Sequence, residues 1–175
     1  MYKFINILLL IYYVDKYLQI INMPRDSKYY QGKFNPQNPE KYKGDPHNII
    51  YRSSWELKFM RYCDRNTAIL EWGSEEFFIP YLDPTTNKVR RYFPDFIVKL
   101  KESSGKIKKY LIEVKPQKQT VPPVAGKKKR KTLITEALTY EKNKAKWRAA
   151  KEWCLDRGLE FKIITEKELG IKDGD

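Results

Sequence analysis

Histidine is almost missing from this 175-residue chain: His47 stands alone. One imidazole excludes a His-rich zinc centre, and no Ser/His/Asp set is present. Cysteine is also scarce. Cys63 and Cys154 lie far apart, each inside a helical pattern, with no CxxC spacing. Two such thiols read as buried side chains of a reducing compartment. Acidic residues fall short of basic ones, Asp+Glu 22 against Lys+Arg 35, a formal net charge of +13. That excess raises the local concentration of a polyanion and points to nucleic acid or an anionic surface. The plainer reading is a basic protein with scattered lysines. Long hydrophobic runs are missing too. Residues 4–14 are apolar but interrupted by Asn6, and a spanning helix needs roughly 20 such residues. No small-residue cleavage site follows; Asp15, Lys16 and Tyr17 come instead. There is no internal repeat and no Gly-rich phosphate loop. What is present suits one domain able to bury a core, with 13 Tyr and 4 Trp that serve packing or base stacking equally well.

The chain is organised around residues 90–115. Arg-Arg-Tyr-Phe-Pro-Asp-Phe-Ile-Val-Lys is followed by the polar, Gly-containing segment 102–106 and then by Tyr-Leu-Ile-Glu-Val-Lys. This predicts a β-hairpin with Asp95 on its first strand and Glu113 and Lys115 on its second. The side-chain period of two sends Glu113 and Lys115 to one face and Val114 into the core. Antiparallel pairing then brings Asp95 alongside Glu113. Charges avoid half-buried sheet positions unless paired or metal-bound. Two hard oxygen ligands suit Mg²⁺, which keeps several waters and shares its remaining positions with substrate phosphates.

Around this hairpin the pattern is α/β. Residues 23–48, punctuated by Asn35-Pro36, Asn38-Pro39 and Asp45-Pro46, read as an extended basic arm. Such an arm lies along DNA or is a solvated tail. After a short extended segment at 49–52, Ser53 and Glu56 have the spacing of a capping box that opens a helix to about Asn66. Glu56 therefore has two compatible roles, helix cap and third carboxylate presented to the hairpin. Strands are expected at 68–72, at 75–81 and continuously over 89–100, with Pro94 at an edge or bulge that re-aims Asp95. Glu75 and Glu76 read as solvated or as supports to the site. The basic run Lys127, Lys128, Lys129, Arg130, Lys131 precedes a helix over 132–157, stopped by Gly158. A strand at 160–165 and a short terminal helix, capped by Thr165 and Glu168, complete the chain.

Pro94-Asp95 followed by Glu113-Val114-Lys115 resembles the PD-(D/E)xK nuclease signature. The resemblance sharpens with Tyr51-Arg52-Ser53-Ser54-Trp55-Glu56, Trp72-Gly73-Ser74-Glu75-Glu76, Ile79-Pro80-Tyr81, Arg91-Tyr92-Phe93-Pro94-Asp95-Phe96 and Ile112-Glu113-Val114-Lys115-Pro116. Together with the final helix–strand pair, these residues look like the head completion nucleases of T-even-type tailed phages. The same core is similar to the endonuclease subunit of Tn7-like transposases. The resemblance covers roughly residues 30–172 and implies a restriction-endonuclease-like core, a mixed central β-sheet flanked by α-helices, with 49–172 as the nuclease domain.

The resemblance also implies a Mg²⁺-dependent endodeoxyribonuclease, with Mn²⁺ as a substitute ion, acting in phage head completion after DNA packaging. Asp95, Glu113 and the Val114 carbonyl would bind the ion, and Glu56 would complete the site or hold a second one. Lys115 would position water or neutralise the phosphate. Arg52, Arg90, Arg91, Lys118 and the 127–131 run would hold the DNA backbone, which gives affinity with little sequence readout. DNA and phage capsid or neck proteins are the implied partners, without a membrane. The host cytoplasm is the implied place, or the head–neck region of the virion. Two alternatives have the same residues: a non-cutting DNA-end-binding head protein, and a nuclease of transposition or repair.

Residues 1–22 fall outside the resemblance, and the composition changes at Met23-Pro24. They are expected to be an over-extended start, or else a short apolar helix packed on the domain or a partner. Removing them takes away Lys3, Lys16 and Asp15, so the net charge falls only from +13 to +12. The intact mass of the native protein is expected to correspond to a start at Met23; a mass that includes Met1 overturns this.

Overall fold

The computed structural model describes residues 30–171. The expectations for residues 1–22, and for the arm before residue 30, lie outside the described residues. The first described elements are β1 (Gly32–Phe34) and β2 (Ile49–Tyr51), an antiparallel pair with a 3₁₀ turn, Pro39–Lys41, in the loop between them. Helix α1 (Ser54–Arg65) follows. Then come β3 (Ile69–Ser74), β4 (Ile79–Asp83), β5 (Lys88–Tyr92), β6 (Phe96–Lys101) and β7 (Ile107–Val114). The long helix α2 (Arg130–Leu155) leads to β8 (Glu160–Ile164). No helix of the described residues is long and apolar enough to cross a membrane.

The central sheet has the order β3-β6-β7-β8, antiparallel except for β8, which runs parallel to β7. A parallel pair needs a long crossover, and α2 supplies it. Alternation along β7 sorts its side chains to two faces. Tyr110, Ile112 and Val114 join α1 residues Leu57, Phe59, Met60 and Cys63 in one core. Leu111 joins Ala150 and Cys154 of α2, and Ile79, Tyr81 and Tyr92 of the β4–β5 hairpin, in a second core. Both cysteines are free and buried. The expected mixed sheet flanked by helices is therefore what the chain forms.

Three expectations need correction. The strand over 89–100 is two strands in two sheets. Pro94 has no N–H to give a ladder and restricts Phe93 before it, so β5 ends at Tyr92, pairs with β4, and the chain re-enters the central sheet as β6. The described part of the arm, residues 30–48, is not a free extension. Asp64, buried at the end of α1, accepts the Gln37 and Asn38 N–H groups at 2.8 and 2.9 Å. Lys41 Nζ donates to the carbonyls of Asp64 and Asn66. Phe34 and Tyr42 pack their rings against Trp72. A buried carboxylate needs such donors, so a Pro- and Asn-rich segment that looks solvated becomes wall. Finally, the expected terminal helix is a run of turns, although the Thr165 N–H and hydroxyl both donate to Glu168 Oε2, the side-chain half of the expected cap.

Trp72 sits at the middle of the first core, 1% exposed, with Phe34, Tyr42 and Phe96 around it. Trp72→Ala is expected to cost ~3–5 kcal/mol of unfolding free energy. Val89→Ala, at a 72% exposed position of β5, should stay within ~0.5 kcal/mol of the parent. Urea unfolding of both variants checks the pair.

Candidate active site

The register of β6 and β7, Phe96 opposite Ile112, sets Asp95 opposite Glu113 one step further along. The Val114 N–H donates to Asp95 Oδ2 at 2.7 Å, which ties the start of β6 to the end of β7. Glu113 is only 2% exposed. Its two oxygens have different partners: the Tyr92 hydroxyl donates to Oε2 at 2.6 Å, and Lys115 Nζ lies 2.7 Å from Oε1. Asp95, Glu113 and Lys115 thus meet where the two strands end, as the alternation of the sequence predicts. Val114 itself is turned into the first core.

Glu56 approaches from α1. Its Oε2 accepts the Arg52 N–H at 2.8 Å, its Oε1 accepts the Ser53 hydroxyl at 2.9 Å, and its own N–H donates to Ser53 Oγ. The capping box is real. Glu56 nonetheless lies within electrostatic reach of Asp95 and Lys115, so cap and third acid remain compatible. Glu75 holds the Arg52 guanidinium at 2.7 Å, and Glu76 accepts the Tyr42 hydroxyl. Both acids support the frame around the site.

Burial, then the charge of Glu113, push the Asp95 carboxyl well above the ordinary aspartate value; Lys115 and the Val114 N–H oppose this without cancelling it. Burial works against the Lys115 charge, but Glu113 and Asp95 outweigh it and hold the ammonium above its usual value. Burial and the neighbouring Glu113 also raise the Tyr92 phenol, so it acts as a donor. The chemistry of this donor set fits a hard divalent cation. Two carboxylates face each other, one of them short of compensating positive charge. Among the described residues, no three His, Cys, Asp or Glu side chains converge as a ready-made cage. Two oxygen ligands suit an ion that keeps several waters.

Two residues near the site carried no role in the sequence reading. Tyr92 is placed by β5, whose departure from the central sheet swings its hydroxyl onto Glu113. Lys146 of α2 lies with Nζ 5.6 Å from the Tyr92 ring centroid and 5.9 Å from that of Tyr81. Its only sequence signal is position beside Trp147 in a helical pattern. The basic residues expected on DNA are surface groups. Strand alternation puts Arg90 on the Tyr81 side of β5 and Arg91 on the other, over the Phe78 ring at 5.6 Å. Lys118 and residues 127–131 are exposed, with Lys128 paired to Glu136 at 2.7 Å.

A mixed sheet between helices, with an acid pair and a lysine at the ends of its two central strands, defines a restriction-endonuclease-like protein. The comparisons agree. A family model described as TnsA-like endonuclease N terminal matches residues 66–166. The head completion nuclease of Enterobacteria phage T4 is 42% identical over 153 residues, spanning 82% of this chain and 97% of that protein. The chain belongs to this family of TnsA-like endonucleases.

The charge on Asp95 has a stability consequence in metal-free protein. A carboxyl whose folded pKa lies above its unfolded value loses stability as pH rises from the ordinary aspartate value, about 3.9, through the raised one. Asp95→Asn cannot ionise. It should raise the melting temperature in EDTA at neutral pH by at least ~2 °C, the shift for roughly 1 kcal/mol in a chain of this size. The advantage should vanish below the ordinary aspartate range, where the Asp95 carboxyl is neutral in the folded and the unfolded chain alike. A scan across pH reads this directly.

Proposed function

We propose that this protein is a metal-dependent DNA endonuclease that hydrolyses phosphodiester bonds during phage head completion, after packaging. The observation that carries the reading is the meeting of Asp95, Glu113 and Lys115 at the ends of β6 and β7. The name and extent of the phage relative support the setting. The cutting domain is taken as 49–172 together with β1 and its loop, since that loop closes the core. DNA is the substrate, capsid or neck proteins are the partners, and the host cytoplasm is the place of action.

Asp95, Glu113 and the Val114 carbonyl would hold Mg²⁺ or Mn²⁺, with Glu56 at its margin. The bound ion supplies Lewis acidity toward the phosphoryl oxygen and helps to ionise water. The protein supplies the rest. Tyr92 fixes the plane of the Glu113 carboxylate through its hydroxyl. Lys115 is bonded to Glu113 while a quarter of its side chain is exposed. From there it positions the attacking water or neutralises charge that grows on the phosphate. Arg90, Arg91, Lys118 and the 127–131 run grip the DNA backbone without reading bases.

A second reading, a DNA-end-binding head protein that does not cut, draws on one observation. Both Glu56 oxygens are engaged in the helix cap, which leaves Asp95 and Glu113 as the acids at the strand ends. Linear and branched DNA, incubated with the protein in Mg²⁺, in Mn²⁺ and in EDTA, separates the two. Cutting in the metal buffers alone is expected. Asp95→Ala and Lys115→Ala should each lower the rate by at least ~100-fold, the order for a group acting on transition-state charge, with DNA binding largely intact. Unchanged rates in both variants discard the site. Salt-sensitive binding with no cutting by the parent favours the second reading.

A further inference from the structure

Among the described residues, Lys146 is a cation without a carboxylate partner. Its Nζ lies over the faces of Tyr92 and Tyr81, and Glu113, Lys115 and Asp95 are all within its electrostatic reach. Neighbouring lysines are paired: Lys115 with Glu113 at 2.7 Å and Lys142, one turn earlier on α2, with Asp83 at 3.8 Å. Among the described residues Lys146 forms no such pair. Two tyrosine rings at 5.6 and 5.9 Å lie near the limit of useful cation–π attraction, about 6 Å. They orient the ammonium but replace little of its lost hydration. A half-buried charge in that condition costs stability unless an anion completes it.

The position says which anion. The Tyr81 and Tyr92 rings are buried and form a floor. Tyr92 is also the hydroxyl donor to Glu113, so one rigid side chain sets the distance between Lys146 and the acid pair. Any phosphate that approaches Asp95 and Glu113 comes into the field of Lys146 as well as that of Lys115. Lys115 already has one contact on Glu113; among the described residues Lys146 has only the two ring faces, which leaves its N–H groups for an incoming group.

We infer that Lys146 is a substrate-binding residue of the cleavage site, whose ammonium, presented by α2 across the Tyr81–Tyr92 floor, contacts a DNA phosphate oxygen beside Asp95 and Glu113. The inference rests on the nuclease reading for the identity of the site, and its test reads DNA binding separately from cutting. Binding of a short duplex is measured in EDTA at several KCl concentrations for the parent, Lys146→Met and Lys146→Arg. Single-turnover cleavage at saturating protein in Mg²⁺ is measured beside it. Lys146→Met keeps the apolar stem against the rings and removes only the charge. It should lower the magnitude of the slope of log K against log salt by about 1, the loss of one phosphate contact. Its cleavage rate should fall by at least ~10-fold, toward the effect of losing a donor to the reacting phosphate. Lys146→Arg should keep the parental slope. A parental slope in Lys146→Met overturns the inference and leaves Lys146 as a packing residue. If Lys146→Met melts below the assay temperature, Lys146→Gln decides by the same slope. Failure of the parent to cut in any metal buffer counts against the nuclease reading, while the slope in EDTA still judges Lys146.

Discussion

A carboxylate buried between two strands is the constraint on which this molecule depends. Glu113 lies on the inner strand of a sheet covered on both faces, where an ionised group is tolerated only if its oxygens are bonded. Lys115 takes one oxygen and Tyr92 the other. Lys115 lies two residues on, just past the end of the same strand, at no topological cost. Tyr92 is a different matter. To reach Glu113 it must come from outside the central sheet, which requires β5 to peel away and pair with β4 instead. The break at Pro94 makes that departure possible, and the same break delivers Asp95 to the head of β6. One proline thus serves both the donor that fixes Glu113 and the acid that faces it.

The two faces of the sheet divide the work. The α1 face is aromatic and aliphatic, closed over by Phe34, Tyr42 and Trp72, and contributes rigidity. The α2 face carries the odd positions of β7, and with them the charge. Its cover must therefore be partly polar. This accounts for α2 having few buried residues, Asn143, Trp147, Ala150 and Cys154, all in its second half. The first turns stand exposed with Ile134 and Leu138 outward. The helix is anchored where it crosses the site and largely bare where the basic run begins. Its parallel crossover fixes β8 beside β7, and the Lys115 N–H donates to the Ile164 carbonyl at 2.9 Å. The residue that follows the acid pair is thereby held by the far edge of the sheet.

Local alternation and spacing made much of this legible in advance. Glu113, Val114 and Lys115 sort to their faces by the period of two, and Ser53 with Glu56 forms the cap that its spacing announces. Asp95 opposite Glu113 follows from hairpin pairing alone. What stayed hidden depends on contacts between distant segments. Residues 30–48 look like a solvated arm because nothing local shows that Asp64 lies buried and short of donors. Strand 89–100 looks continuous because its alternation survives the proline, while its sheet partner changes. Lys146 is invisible because helix phase is read from apolar positions, and a lysine beside Trp147 carries the same pattern whether it faces water or an acid pair.

The electrostatic balance of the site explains why these pieces belong together. Asp95 is pushed toward its neutral form by burial and by Glu113, even with Lys115 and the Val114 N–H in place. A protein selected for stability alone would replace such an acid with an apolar side chain of similar volume. Retaining it leaves a pocket that favours added positive charge. An incoming cation at Asp95 and Glu113 would relieve the repulsion between them and, by the same Coulomb argument, lower the potential that those acids present to a phosphate. Without that relief, two carboxylates would repel the very phosphates that a basic surface favours. On the proposed reading, the long-range field of Arg90, Arg91, Lys118 and residues 127–131 would bring a polyanion to the protein. Whether it settles at the acid pair is governed by charge within a few ångströms. In that second zone Lys115 and Lys146 would share the task with a cation held by the acids.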